Sequence, residues 1–123
     1  MTKVYQASDI GKVRENNEDS LAIFPPEIYM VADGMGGRAG GEVASGLAVK
    51  TIQAQTTKRP LHEAELRQAV MAANEAILAM ARSHQEYDGM GTTVTLLHLE
   101  AAMAYWAHVG DSRLYLFRAG ALQ

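Results

Sequence analysis

The sequence predicts an α+β fold in which two helices pack on an antiparallel sheet. Two observations carry this. The apolar segments run in the order strands, two consecutive helical patterns, then strands again, with no strand between the helices to make an alternating parallel sheet. The later strands also carry apolar side chains on both faces, which suits a sheet covered by helices on one side and a second sheet on the other. With 123 residues, the chain falls within the size of one domain.

Taken in order, Val4 to Ile10 reads as a short strand ending at Gly11, followed by a polar run from Lys12 to Ser20. Leu21–Phe24 and Ile28–Ala32 read as a hairpin with Pro25-Pro26 in the connection, where a missing N–H does no harm. The stretch from Asp33 through Gly41 contains five glycines, and a helix opens from them. Val43, Leu47 and Thr51 share one face of that helix, with Ala44, Ala48 and Ile52 beside them. Lys58-Arg59 marks its end, and Pro60 separates it from the second helix. There Leu66, Val70, Ala73, Ile77 and Met80 recur at helical spacing opposite Glu65, Arg67, Gln68 and Glu75. Gly89 and Gly91 close the helical region. Thr92 to Leu99 is rich in β-branched residues and reads as a strand. Met103 to Val109 forms another and Arg113 to Arg118 a third, with turns at Gly110-Asp111 and Ala119-Gly120.

Composition narrows the classes of function. Hydrophobic residues make up 48% and charged residues 20%, as in ordinary globular domains. Fourteen acidic against 11 basic side chains give a net charge of −3, and no Lys/Arg cluster supplies the basic face that nucleic-acid binding needs. There is no cysteine, so disulfides, thiolate zinc sites and a cysteine nucleophile are excluded. The first residues have no apolar stretch of the signal-peptide kind, and nothing approaches the roughly 18 apolar residues of a membrane span. A cytoplasmic protein, with neither nucleic acid nor membrane as partner, is the expectation. The four histidines show no metal-ligand spacing and read as surface or strand residues; the seven methionines read as core filler. Tyr105 and Trp106, adjacent on a strand, face opposite ways.

The chemistry gathers in four segments: Arg14-Glu15-Asn16-Asn17-Glu18-Asp19, Asp33-Gly34-Met35-Gly36-Gly37, Gly91-Thr92-Thr93 and Val109-Gly110-Asp111-Ser112-Arg113. Asp33 closes a buried strand, so its carboxylate projects from a rigid edge, and Gly34 lets the backbone turn sharply beside it. Glu18 and Asp19 end a polar loop before another strand, where they are able to converge on Asp33. Clustered carboxylates raise one another's pKa unless a cation lies between them. Oxygen donors without cysteine favour the hard ions Mg²⁺ or Mn²⁺ over zinc. Such ions suit phosphate-ester hydrolysis, and the planar guanidinium of Arg14 is built to hold two phosphate oxygens. Singly, each element has a plainer explanation: a solvated acidic loop, an Asp-Gly turn or a surface arginine. Gly34 to Ala39 also fits the loose G-x-G-x-x-A dinucleotide pattern. A second helix follows, however, and no acidic residue stands between Glu42 and Glu63, so that reading fails.

Together and in this order, the four segments resemble the first half of the motif series of the metal-dependent PPM, or PP2C-type, serine/threonine protein phosphatases of bacterial type. Ala73-Asn74-Glu75-Ala76-Ile77 in the second helix adds to the likeness. The resemblance implies that residues 1–123 are the N-terminal part of one phosphatase domain, a partial α-β-β-α sandwich whose C-terminal half is missing. It implies that Asp33 bridges two metals, that the Gly34 carbonyl binds one of them, and that Glu18 and Asp19 act through metal-bound waters. Arg14 would bind the substrate phosphate, and Asp111 would help hold a third ion. Gly91-Thr92-Thr93 would be a structural lead-in to a central strand. The implied cofactors are two or three Mn²⁺ or Mg²⁺ ions in the complete domain. The implied partners are a phosphorylated protein substrate and a cognate Ser/Thr kinase.

Two departures matter. Met35 stands where many animal relatives have a histidine that protonates the leaving alcohol; a thioether has no proton to give, which leaves the general acid unassigned. Arg38 replaces a frequent histidine. The two later aspartates of the family's Asp-Gly and Asp-Asn motifs do not lie within these 123 residues. The expectation is therefore an incomplete, inactive phosphatase portion that binds metal weakly, with exposed sheet edges inviting self-association. The alternative is a non-catalytic PP2C-like binding or regulatory module.

Overall fold

The computed structural model describes residues 2–37, 39–57 and 61–123. Strand β1 (Asp19–Phe24) and strand β2 (Ile28–Met35) form the expected hairpin around Pro25-Pro26. Helices α1 (Gly40–Thr56) and α2 (Glu63–Ser83) follow, then a turn of 3₁₀ helix over Gln85–Tyr87. Strands β3 (Gly91–Thr92), β4 (Val94–Glu100) and β5 (Met103–Val109) complete the main sheet, and β6 (Phe117–Arg118) pairs with β7 (Ala121–Leu122) in a separate ribbon. The main sheet is antiparallel with order β1-β2-β4-β5, and β3 pairs with the end of β2.

The period-2 pattern of the strands decides which face is buried. Phe24, Ile28, Met30, Ala32, Val94 and Leu96 point one way and meet Ala44, Ala48 and Ile52 of α1 and Leu66, Ala69, Ala73 and Ile77 of α2. Burial of a side chain such as Leu96 contributes about 1.5–3 kcal/mol. Small residues at 44 and 48 let α1 lie close to the sheet. Both helices pack by the side their spacing predicts, although in α1 the fully buried row is 44, 48 and 52, with Val43 and Leu47 only partly covered. The opposite face of the sheet, with Ile23, Val31 and Trp106, is exposed. Tyr105 and Trp106 do point to opposite sides: Tyr105 packs with the core while Trp106 lies open.

Three expectations are corrected. Val4 to Ile10 makes no strand; it is exposed chain without a pairing partner, and a strand exists only by its ladder. Arg113 to Arg118 is not one strand either, since only Phe117 and Arg118 pair, across the Ala119-Gly120 turn. Among the methionines, Met30 and Met90 enter the core, but Met35, Met71 and Met103 are exposed. The helix end at Lys58-Arg59 and the breaker Pro60 lie outside the described residues, as does Arg38. No helix among the described residues is long and apolar enough to cross a membrane.

Candidate functional site

The site is built where β1 begins and β2 ends. The hairpin register sets Asp19 directly opposite Asp33, so two carboxyl groups leave the same edge of the sheet side by side. Burial, more than any other influence, raises the Asp19 pKa from its ordinary 3.8, followed by its hydrogen bond to Asp33 and the charge of Asp33. Arg14 opposes the rise and Glu18 adds to it, so both lie within electrostatic reach of the pair. The structure thus brings Asp19 and Asp33 together, with Arg14 and Glu18 near enough for their charges to act on Asp19. Two carboxyls sharing a proton are a place where a cation substitutes readily.

Close packing against α1 fixes this edge. A Cβ on Gly34 would fall 1.8 Å from the Gly41 carbonyl oxygen, and one on Gly41 would fall 1.8 Å from Glu18 Oε2. Only glycines let the end of β2 and the first turn of α1 touch in this way. The Glu18 carboxylate therefore lies against the positive end of α1, where an acid is favoured. Its backbone is held as well: Gly34 N donates to Glu18 O at 3.1 Å, and the buried Ser45 hydroxyl donates to the same oxygen at 2.7 Å. Ser45 also shares a 2.8 Å bond with Ser20. A serine within the small apolar face of α1 was the available signal for this clamp.

A second clamp comes from β3 and β4. Asp33 N donates to Thr93 Oγ1 at 3.0 Å, Thr93 N donates to Asp33 O at 2.9 Å, and Thr93 Oγ1 shares a 2.7 Å bond with Ser112 Oγ. Gly110, at φ +103°, passes so close that a Cβ would lie 2.5 Å from Thr93 Cγ2. The Gly91-Thr92-Thr93 segment is thus structural, and its third residue grips the backbone of Asp33. The polar edge opens into a cleft of ≈ 300 Å³ lined by Ser8, Asp9, Asp19, Asp33 and Ser112. Asp9 was not anticipated; it arrives on the extended N-terminal segment, which Asn17 Nδ2 ties to Ser8 Oγ at 2.8 Å. Asp111 is exposed beside Ser112, and Met35 is 65% exposed. Among the described residues, no three His, Asp or Glu side chains already stand around an ion-sized gap. The donor set at the cleft is nonetheless all oxygen, and the Asp19–Asp33 pair fits a hard dication.

Solved structures share this helix-backed antiparallel sheet. The crystal structure of the serine/threonine phosphatase PstP/Ppp of Mycobacterium tuberculosis superposes with a TM-score of 0.85 at 41% identity, over 95% of this chain and 50% of that one. The catalytic domain of PstP in complex with 2 manganese ions gives 0.84 at 41% identity, over 94% and 51%.

The chain belongs to the protein phosphatase 2C family, whose pattern it matches over residues 12–123. It is 42% identical over 117 residues to the serine/threonine protein phosphatase PstP of M. tuberculosis H37Rv, covering 94% of this chain and 23% of that protein. It is 35% identical over 126 residues to the serine/threonine phosphatase stp of Listeria welshimeri, covering 94% and 50%. The chain therefore spans half or less of the length of these relatives.

Proposed function

We propose that this chain is part of a metal-dependent serine/threonine protein phosphatase that hydrolyses phosphoserine and phosphothreonine in proteins. The observation that carries the reading is the Asp19–Asp33 pair, held across the β1–β2 ladder at a polar cleft with Arg14 in electrostatic range. When bound, Mn²⁺ or Mg²⁺ would lower the pKa of a water and neutralise charge on the phosphoryl group. Asp33 would help hold such ions, with the Gly34 carbonyl beside it. Asp19 and Glu18 would hold the waters around them, and Asp111 would serve a further ion. Arg14 would take the substrate phosphate in its fork, which orients the ester for in-line attack. Met35 has no proton to donate, which leaves the general acid unassigned. Within this chain the carboxylate pair alone offers few donors, which makes metal binding weak. A phosphorylated cytoplasmic protein and an opposing Ser/Thr kinase are the partners that suit this chemistry.

The test is Mn²⁺-dependent hydrolysis of p-nitrophenyl phosphate by this chain and by a longer chain of the relatives' domain length, each with and without Asp33→Ala. Activity in the longer chain that Asp33→Ala abolishes supports the reading. Activity of the 123-residue chain itself would show that its own donors suffice. Absence of hydrolysis from both would favour a binding module that keeps the fold without the reaction.

A further inference from the structure

Gly34 N donates to Glu18 O, so Glu18 and Gly34 form a hydrogen-bonded pair of the β1–β2 ladder. Such pairs alternate with non-hydrogen-bonded ones, which makes Asp19 and Asp33 a pair of the second kind, with Cα atoms about 4.5 Å apart. In that arrangement the backbone N–H groups of the two residues point away from each other. Each finds a side-chain oxygen instead. The Asp33 N–H goes to Thr93 Oγ1 at 3.0 Å, and the Asp19 N–H goes to Asn17 Oδ1, also at 3.0 Å. Asp33 lies on β2, between β1 and β4, whereas Asp19 begins β1, the outer strand of the sheet. The Asn17 amide makes a second bond as well, its Nδ2 donating to Ser8 Oγ at 2.8 Å, nine positions away. Ser8 and Asp9 line the cleft with Asp19 and Asp33, and Asp9 Oδ1 accepts the Gly11 N–H at 2.7 Å.

We propose that Asn17 is a positioning residue for the carboxylate pair: one amide that fixes Asp19 opposite Asp33 and ties the N-terminal wall of the cleft to it. The proposal rests on the metal-dependent phosphatase reading, which gives the place of Asp19 a chemical consequence. Two carboxylates this close repel whenever both are ionised. The Asp33 backbone is the less free to yield, since Thr93 grips both its N–H and its carbonyl. The repulsion therefore falls on Asp19, at the start of an outer strand, where a chain opens most easily. Asn17 opposes that movement. Taken alone, its bond to the N–H two positions on is an ordinary turn device. The bond to Ser8 goes further, because a turn needs no partner on a separate segment of the cleft wall. Loss of Asn17 would release both Asp19 and the Ser8–Asp9 segment, whereas loss of the Ser8 hydroxyl would release the segment alone.

The test compares wild type with Asn17→Ala, Asn17→Asp and Ser8→Ala. In the 123-residue chain without metal, two rates are followed: hydrogen exchange of the Asp19 amide, and native-state trypsin cleavage after Lys12 and Arg14. Asn17→Ala should speed both by about three- to tenfold, as befits loss of one ordinary hydrogen bond. Ser8→Ala should speed cleavage alone. Asn17→Asp keeps an oxygen for the Asp19 N–H and another for the Ser8 hydroxyl, so it should keep the Asp19 amide protected. Exchange at the core residue Leu96 should not change in any variant. In a longer chain of the relatives' domain length, Asn17→Ala should lower kcat for p-nitrophenyl phosphate and raise the Mn²⁺ needed for half-maximal rate, with KM little changed; Asn17→Asp should recover most of the kcat. Wild-type exchange of the Asp19 amide in Asn17→Ala overturns the proposal. Equal acceleration at Leu96 does so too, since it makes Asn17 a fold residue, as does a longer Asn17→Ala chain with wild-type kcat and Mn²⁺ requirement. A longer wild-type chain that hydrolyses nothing overturns the phosphatase reading instead, and the exchange rates still decide whether Asn17 holds Asp19.

Discussion

Asp19 and Asp33 face each other across the β1–β2 ladder, and burial, then the neighbouring Asp33 carboxyl, raises the pKa of Asp19. A carboxyl whose pKa rises on folding favours the folded state in its protonated form. Its contribution is full below the unfolded value of 3.8 and is lost as pH rises through the raised folded value. Asp19→Asn removes that loss. In metal-free buffer the variant should melt higher than wild type near pH 7, and the difference should shrink to nothing as pH falls below about 3.8. Melting curves across that range check it; a variant no more stable at pH 7 would count against a strained pair.

The same pair should respond to metal. A dication replaces the shared proton, so Mn²⁺ should raise the melting temperature at neutral pH and do so less as the solution is acidified. At tenfold excess over its dissociation constant the gain is about 1.4 kcal/mol. Asp33→Asn should abolish the gain. A Mn²⁺ shift that persists in Asp33→Asn would place the ion elsewhere.

Much of this was legible in the sequence, and for identifiable reasons. The hairpin, both helices and β5 follow from local period, because each buries one face against the others. Asp33-Gly34 and Glu18-Asp19 stood out only together with the two later segments, in one order, since singly each has a plainer explanation. The strands expected at Val4–Ile10 and Arg113–Arg118 failed because apolar alternation shows what a segment is able to bury, not whether a partner is there to pair with it. The clamps at Ser45 and Thr93 were hidden by ordinary residue types whose partners are 27 and 60 positions away.

Glycine at 34 is a packing requirement, and glycine at 46 is not. An alanine methyl at 34 meets the Gly41 backbone, which no rotamer change relieves, so α1 must move off β2. Gly34→Ala should cost about 3 kcal/mol or more. Gly46 is exposed on α1, and a methyl added there would meet nothing within 4 Å, so Gly46→Ala should gain about 0.5–1 kcal/mol. Urea unfolding of the two variants measures both signs. Equal effects would refute the close contact between Gly34 and Gly41.

Thr93 tests whether the backbone of Asp33 needs holding. Its Oγ1 receives the Asp33 N–H and is bonded to Ser112 Oγ. Thr93→Val keeps the shape but leaves that N–H without its partner, at a cost of about 1–3 kcal/mol. Thr93→Ser keeps the hydroxyl and should recover most of the loss. In a longer, active chain the valine variant should lower kcat more than it raises KM, because it shifts Asp33 and leaves Arg14 untouched. Serine should restore kcat. A valine variant that loses stability with kcat intact would make Thr93 a fold residue alone; loss of kcat in both variants would mean that the hydroxyl does not suffice without the γ-methyl packed on Gly110.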